Sequence, residues 1–403
     1  MNAPFSTHAD ELARQLQDTR QRTLALLRDL KGDQWLGPKL AIVNPPLWEL
    51  AHVGWFQERW CLRHDGTQKL RPSILPNADA LYDSGTVAHD TRWDLPLLNL
   101  DQTLAYLDET LQRVLEKLQH VDNNYFAQLA LFHEDMHGEA FYYTRQTLGY
   151  PKPQFARLPD AKNTAHLNQD ADLPGGKMLL GAKPDDGFVF DNEKWAHEIE
   201  IRPFRISRTA VTNREFTVFV EDQGYLRREL WSKPGWRWKE SAQAAAPVYW
   251  IKENGNWMLR HFDQIILLPL DSAIIHVNWF EAEAYCRWAK RRLPTEAEWE
   301  MAAATDAKGG KRRYPWGNES PAKEHANLEG WVSGPCPVND FAQGDSAWGC
   351  RQMFGNVWEW TQDWFQPYPG FEIDPYREYS QPWFGDHKVL HGGCFATRAR
   401  LLR

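Results

Sequence analysis

The sequence predicts two folded parts in series, an all-α four-helix bundle followed by an irregular α+β domain. Three observations carry this. The chain has 403 residues, room for two or three domains at roughly 100–200 residues each. Apolar residues recur with a period near 3.6 across residues 1–150. From Gly175 onward that rhythm gives way to short β-like pieces, frequent Gly and Trp, and few long helices. Residues 151–174, holding Pro, Asp, Asn and Ala without periodicity, read as a linker, so the second domain spans 175–403.

The first helix is expected over Glu11 to Leu30, where Leu12, Leu16, Leu26, Leu27 and Leu30 sit among charges. A second begins at Pro45-Pro46, where proline fits a first turn, and runs to about Cys61. A third covers Leu98 to Leu118, with Leu104, Leu107, Leu111, Val114 and Leu118 on one face. The fourth runs from about Asn124 to Leu148 and stops at Gly149-Tyr150-Pro151, a helix-stop signal. The connection from His64 to Asp94, rich in Pro, Gly and Asp, is expected to lie over one end of the bundle. In the second half one clear helix is expected over Trp279 to Lys290 and a short one over Glu296 to Ala304.

Composition narrows the function classes. Hydrophobic residues at 42% and charged residues at 25% match ordinary globular usage and exclude wholesale disorder. Lys and Arg number 46 against 54 Asp and Glu, a net charge of −8, which argues against a nucleic-acid partner. No run approaches the ~20 apolar residues of a membrane helix, and no secretory signal opens the sequence. A cytoplasmic location is therefore expected. Five cysteines without a CxxC pair support neither a disulfide scaffold nor a thiolate zinc site. The 21 tryptophans belong mostly to cores, yet such rings also line pockets for organic cations.

The sharpest local feature is His133-Glu134-Asp135-Met136-His137 on the fourth helix. Histidines at i and i+4 share a helix face, so both imidazoles can point at one ion. The string also satisfies H-E-x-x-H, in which Glu134 would be the general base of a zinc protease. The bland reading is two histidines satisfied on a helix. His52, in mid-helix within Leu50-Ala51-His52-Val53-Gly54, is a third candidate. Three histidines from two helices of a bundle make a compact site with open positions for zinc or iron(II). Ligand type leaves the choice of metal open.

Further on come Gly175-Gly-Lys-Met-Leu-Leu-Gly181, Phe190-Asp-Asn-Glu193, His197-Glu-Ile-Glu-Ile-Arg-Pro-Phe204 and Val211-Thr-Asn-Arg-Glu-Phe216. They are followed by Val277-Asn-Trp279, Arg292-Leu-Pro-Thr-Glu-Ala-Glu-Trp299, Tyr314-Pro-Trp-Gly-Asn318, Met353-Phe-Gly-Asn-Val-Trp-Glu-Trp360 and His391-Gly-Gly393. In this order the strings resemble the formylglycine-generating-enzyme fold, a C-type-lectin-like scaffold. Joined to a DinB-like bundle carrying HxxxH and an upstream histidine, the whole chain resembles the ergothioneine-type sulfoxide synthases. The resemblance implies a non-heme iron(II) enzyme with His52, His133 and His137 as ligands. Its substrates would be hercynine, whose imidazole C2 becomes bonded to a chalcogen, and O2. It also implies that both domains together enclose the site.

The sequence departs from that family's pattern at several positions. Three residues before Tyr368-Pro-Gly-Phe371, where the family places a proton-donating tyrosine, stands Phe365. The loop that in the family grips a charged thiol peptide with arginines keeps only Arg92, beside Asp90, Trp93 and Asp94. Met136 replaces a frequent glutamine, and Cys394-Phe395 replaces serine-tryptophan. These departures make the chain most similar to selenoneine synthases, which imply a selenosugar donor and a carbon–selenium bond. The alternative is a thiol donor and a carbon–sulfur bond, as in ergothioneine biosynthesis. Tyr368, Phe365, Met136, Phe395, Arg92 and Trp93 are the expected substrate contacts, with hercynine seated where the halves meet. A zinc-dependent DinB-like thiol transferase, a lectin-like binding protein and a formylglycine-generating activity are the remaining readings. The last would need a reactive cysteine pair, with Cys350 and Cys394 as the late candidates.

Overall fold

Leucine spacing builds the first helix as expected: α1 (His8–Leu27) buries Leu12, Leu16, Leu26 and Leu27. This is a computed structural model, which describes residues 8–65, 69–120, 124–159 and 169–402. Contacts divide the chain into two units, Met1–Phe155 and Ala156–Arg403. In the first unit α2 (Pro46–Gln57) starts with proline in its first turn and buries every residue but Leu47, which makes it the central helix. It passes into a wider turn, Glu58–Arg63, where the His64 N–H reaches the Arg59 carbonyl at 2.8 Å. The connection beyond holds the short helix α3 (Ala78–Tyr82). Helix α4 (Leu100–Leu118) opens with a reciprocal Asn99–Gln102 cap and buries Tyr106, Leu107, Leu111, Val114 and Leu118. Helix α5 (Tyr125–Leu148) ends at Gly149 with φ 67°, a left-handed position suited to glycine.

The second unit is built from small sheets. Strands β1 (Asp170–Leu173) and β4 (Phe204–Ser207) pair antiparallel, as do β2 (Gly176–Leu180) and β3 (His197–Ile201). Strand β1 lies in the stretch expected to be linker; its Asp-Ala-Asp-Leu sequence offers only two inward side chains, too few to read as a strand. Strands β5 (Trp250–Glu253), β6 (Asn256–His261) and β7 (Gln264–Leu267) form a meander. Strands β8 (Glu359–Trp364) and β9 (Lys388–His391) form the last pair. Helices α8 (Trp279–Trp288) and α9 (Glu296–Ala304) match expectation closely, while α6 (Asn213–Glu221) and α7 (Lys233–Ala242) are additional. Helix α6 carried a readable signal, the Thr212–Glu215 capping box.

The motif strings of this unit interlock. Trp279 Nε1 donates to the Thr361 carbonyl and Trp360 Nε1 to the Val277 carbonyl, at 2.8 and 3.1 Å. Trp299 Nε1 donates to Glu359 at 2.8 Å. The Gly355 N–H reaches the Gly392 carbonyl at 2.8 Å, and a Cβ on Gly392 would meet the Met353 carbonyl at 2.6 Å. The glycine at 392, with φ 101°, is thus required by a close backbone approach. No helix among the described residues is long and apolar enough to cross a membrane.

Candidate metal centre

Helices α2 and α5 bring His52, His133 and His137 together, with candidate ligand atoms all within 4.8 Å of one another. His52 and His133 are buried, whereas the His137 side chain keeps 18% of its surface exposed. Burial, followed by the neighbouring His137, pushes the His52 imidazole down to about 3. His133 is held well below the ordinary histidine range by burial and then by the other two rings. Both rings are therefore neutral at pH 7, the form that binds metal.

Two imidazoles are oriented from outside the cluster. His52 Nδ1 lies 2.7 Å from the Tyr82 carbonyl, which can only accept, so this nitrogen carries the proton. His137 Nδ1 lies 2.6 Å from the Glu49 carboxylate. In both rings Nε2 is left for a metal, the usual arrangement of a ligating histidine. His133 stacks face to face on Phe56 at 3.5 Å between centroids, and His52 stacks on Trp48 at 5.1 Å. The set fits a divalent metal with open positions, zinc and iron(II) alike.

Glu134 is unavailable as a base. Arg20, on α1, donates from Nε and Nη2 to its two carboxylate oxygens at 2.9 and 3.1 Å. The same guanidinium reaches the Leu107 carbonyl and Gln57, so it joins four helices. Asp135 is engaged likewise, accepting from Thr19 at 2.7 Å. The H-E-x-x-H match is a brace rather than a protease site.

Of the expected substrate contacts, Met136 is half-buried on α5 next to His137. Trp93 donates from Nε1 to the Gly37 carbonyl at 3.1 Å. Arg92 turns inward: it is 8% exposed, donates to Asn44 and to the Ser84 and Val87 carbonyls, and stacks over Trp48 at 3.9 Å. Asp90 and Asp94 are exposed, Asp94 pairing with Lys39 at 3.6 Å. In the second unit Phe365 and Tyr368 line a cavity of about 500 Å³, with Glu193, Glu296, Glu300 and His391 among its walls. Tyr368 donates to Glu296 at 2.7 Å, and His391 pairs with the same oxygen at 3.4 Å. Phe395 is half-buried nearby in sequence, its N–H bonded to the Asn356 carbonyl at 3.0 Å. Glu49, Arg20 and the Tyr82 carbonyl were not found from sequence; only Glu49, three residues before His52 on the same helix, left a local signal.

The two late cysteines are held within the fold. Burial pushes Cys350 up to about 12, and Cys394 accepts from the Thr397 hydroxyl.

Comparison with known proteins agrees with this layout. Residues 15–141 match the DinB superfamily and residues 155–403 the sulfatase-modifying factor enzyme 1-like domain. Hercynine oxygenase of Mycolicibacterium thermoresistibile is 38% identical over 98% of this chain and 90% of its own length. That of Mycobacterium tuberculosis is 37% identical over 98% of this chain and 94% of its own. The formylglycine-generating enzyme of Thermomonospora curvata is 35% identical, but over 55% of this chain and 81% of its own. Of these relatives the hercynine oxygenases span both units, including the helices that carry the three histidines, and the chain is an enzyme that belongs to the hercynine oxygenase family.

Proposed function

We propose that the enzyme is an iron(II)- and O2-dependent sulfoxide synthase of the ergothioneine type, joining a thiol sulfur to imidazole C2 of hercynine. The buried, neutral cluster of His52, His133 and His137 supports this most directly, in a chain whose hercynine oxygenase relatives match nearly its whole length. Iron(II) held by these imidazoles would supply a site at which O2 is reduced beside the substrates. Overall, hercynine gives up its C2 hydrogen and the thiol its S–H hydrogen. One oxygen atom ends on sulfur, and the other leaves as water with those two hydrogens, so O2 takes up all four electrons.

The chain's own residues bind and orient. The Tyr82 carbonyl and Glu49 hold two of the rings with Nε2 free for the ion. Tyr368, with Phe365 and Phe395 on neighbouring segments, offers aromatic faces for hercynine; a trimethylammonium over such rings gains on the order of 0.5–2 kcal/mol. In the helical unit Met136, next to His137, and Trp93 are the candidate substrate contacts. Phe365 has no hydroxyl, so any proton delivered to the product comes from another group.

A second reading keeps the same metal and hercynine but takes a selenosugar, forming a carbon–selenium bond. It is favoured by the inward engagement of Arg92, which leaves no arginine fork in that loop for a peptide carboxylate. The test is anaerobic loading with iron(II), then O2 and hercynine with γ-glutamylcysteine, cysteine or a selenosugar, products being resolved by mass. Iron-dependent sulfoxide from a thiol supports the first reading. Product from the selenosugar alone moves the assignment to the second. O2 uptake independent of hercynine with every donor overturns both.

A further inference from the structure

The inward-turned Arg92 and the buried Glu49 belong to one hydrogen-bonded chain that ends on a metal-site histidine. Arg92 Nη1 donates to Asn44 Oδ1 at 2.6 Å. Asn44 Nδ2 donates to Glu49 Oε2 through a longer bond of 3.5 Å. Glu49 Oε1 accepts from His137 Nδ1 at 2.6 Å. Glu49 is 1% exposed, and the Arg92 guanidinium lies close enough for the two charges to act on each other. Arg92 also covers Trp48, whose ring stacks on His52 at an interplanar angle of 9°. One cation thus supports both α2-borne faces of the cluster, one through hydrogen bonds and the other through stacked rings.

We propose that Glu49, Asn44 and Arg92 are positioning residues for the metal centre: they fix the tautomer and rotation of His137 and thereby set metal affinity. The physical reason is general. A buried carboxylate would be costly alone; Arg92 and Asn44 stabilise it where it is needed, against the imidazole N–H. A carboxylate behind a ligating imidazole fixes the ring and raises its basicity, and loss of such a partner commonly weakens metal binding about 10–100-fold. Arg92 is then kept in this loop for the metal rather than for a substrate carboxylate. The inference rests on the three-histidine reading of the site, but on no particular substrate.

The experiment titrates cobalt(II) alone into the full-length protein, reading its visible d–d bands and, by chelator competition, its affinity. Glu49→Gln, which keeps the shape, is expected to weaken affinity about 10–100-fold and to alter the bands. Asn44→Ala and Arg92→Met should weaken it less. The Glu49→Gln and Arg92→Met effects should be less than additive when combined, because both act through one chain. Wild-type affinity and bands in Glu49→Gln overturn the proposal. If that variant does not fold, wild-type affinity in Asn44→Ala overturns it instead, since this half-buried residue is the middle link. His52→Ala separates the two levels. Metal retained at full affinity in His52→Ala refutes the three-histidine centre itself. Metal lost there but kept in Glu49→Gln refutes only the positioning chain.

Discussion

The carboxylates that touch the histidine-bearing helices and two acids deep in the second unit are buried in different ways. On the helices around the histidine cluster Glu134 lies against Arg20 and Glu49 against His137, while the equally deep Glu58 and Asp135 accept from the Tyr106 and Thr19 hydroxyls. In the second unit Glu281 and Glu359 face neutral donors instead, the Tyr225 hydroxyl and the Trp299 indole. Burial pushes both carboxyls up to about 7. The helical unit uses charge pairs to hold fixed geometry around its histidines. In the second unit Glu281 and Glu359 are weakly compensated inside a scaffold of interlocked loops, although Glu298 there is paired with Arg292. Glu134 and Glu49 are thus paired where Glu281 and Glu359 are not, and the following experiments bear on that contrast in order of expected effect.

His133→Ala should abolish metal binding and turnover together, measured as iron per chain and product formed. Full iron occupancy would detach the paired carboxylates from any metal role. Next, Arg20→Met leaves Glu134 buried without its partner and should cost about 3–5 kcal/mol of stability, read by urea unfolding. Adding Glu134→Leu should recover much of it; no recovery would show that the Leu107 and Gln57 contacts of Arg20 matter more than the ion pair.

For the second unit the effect appears as pH dependence. The folded Glu359 carboxyl titrates near 7 against 4.5 in its unperturbed form. Between those values the unfolded chain releases a proton that the folded chain keeps. Stability from this group is therefore greatest below pH 4.5 and falls as pH rises towards 7, by about 1.4 kcal/mol per unit. Glu359→Gln, which can still accept from Trp299, should flatten the stability–pH curve there, while Glu281 retains its own share. An unchanged slope would count against the contrast. The smallest effect concerns binding: Tyr368→Ala should raise the hercynine dissociation constant about tenfold, some ~1.4 kcal/mol, by calorimetry. Unchanged affinity would remove Tyr368 from the substrate site.

The same contrast explains what could be read from the sequence. The bundle was legible because its signals are local: leucine periodicity in α1 and α4, proline at the start of α2, and HxxxH on α5. The role of Glu134 was not, because its partner Arg20 stands 114 positions away. The inward turn of Arg92 was hidden in the same manner, since its partner Asn44 stands 48 positions away. In the second unit the motif strings were visible, but what they do was not. Trp279, Trp299 and Trp360 act through bonds to segments 60 to 83 positions distant. Helix α7, with Trp236 and Trp238 among lysine, serine and glutamate, shows too short a pattern for periodicity to betray.

The carbonyl that orients His52 comes from Tyr82, at the end of a five-residue helix, α3, that belongs to none of the four long helices. For protein design this means the site is not portable as three histidines on two helices. Grafted onto an idealised bundle without that carbonyl, His52 would lose the partner that fixes its tautomer and could offer either nitrogen. A faithful transplant must carry the connection around residues 78–92 as a template, because there the last backbone carbonyl of a short helix, rather than a side chain, dictates which His52 nitrogen meets the ion.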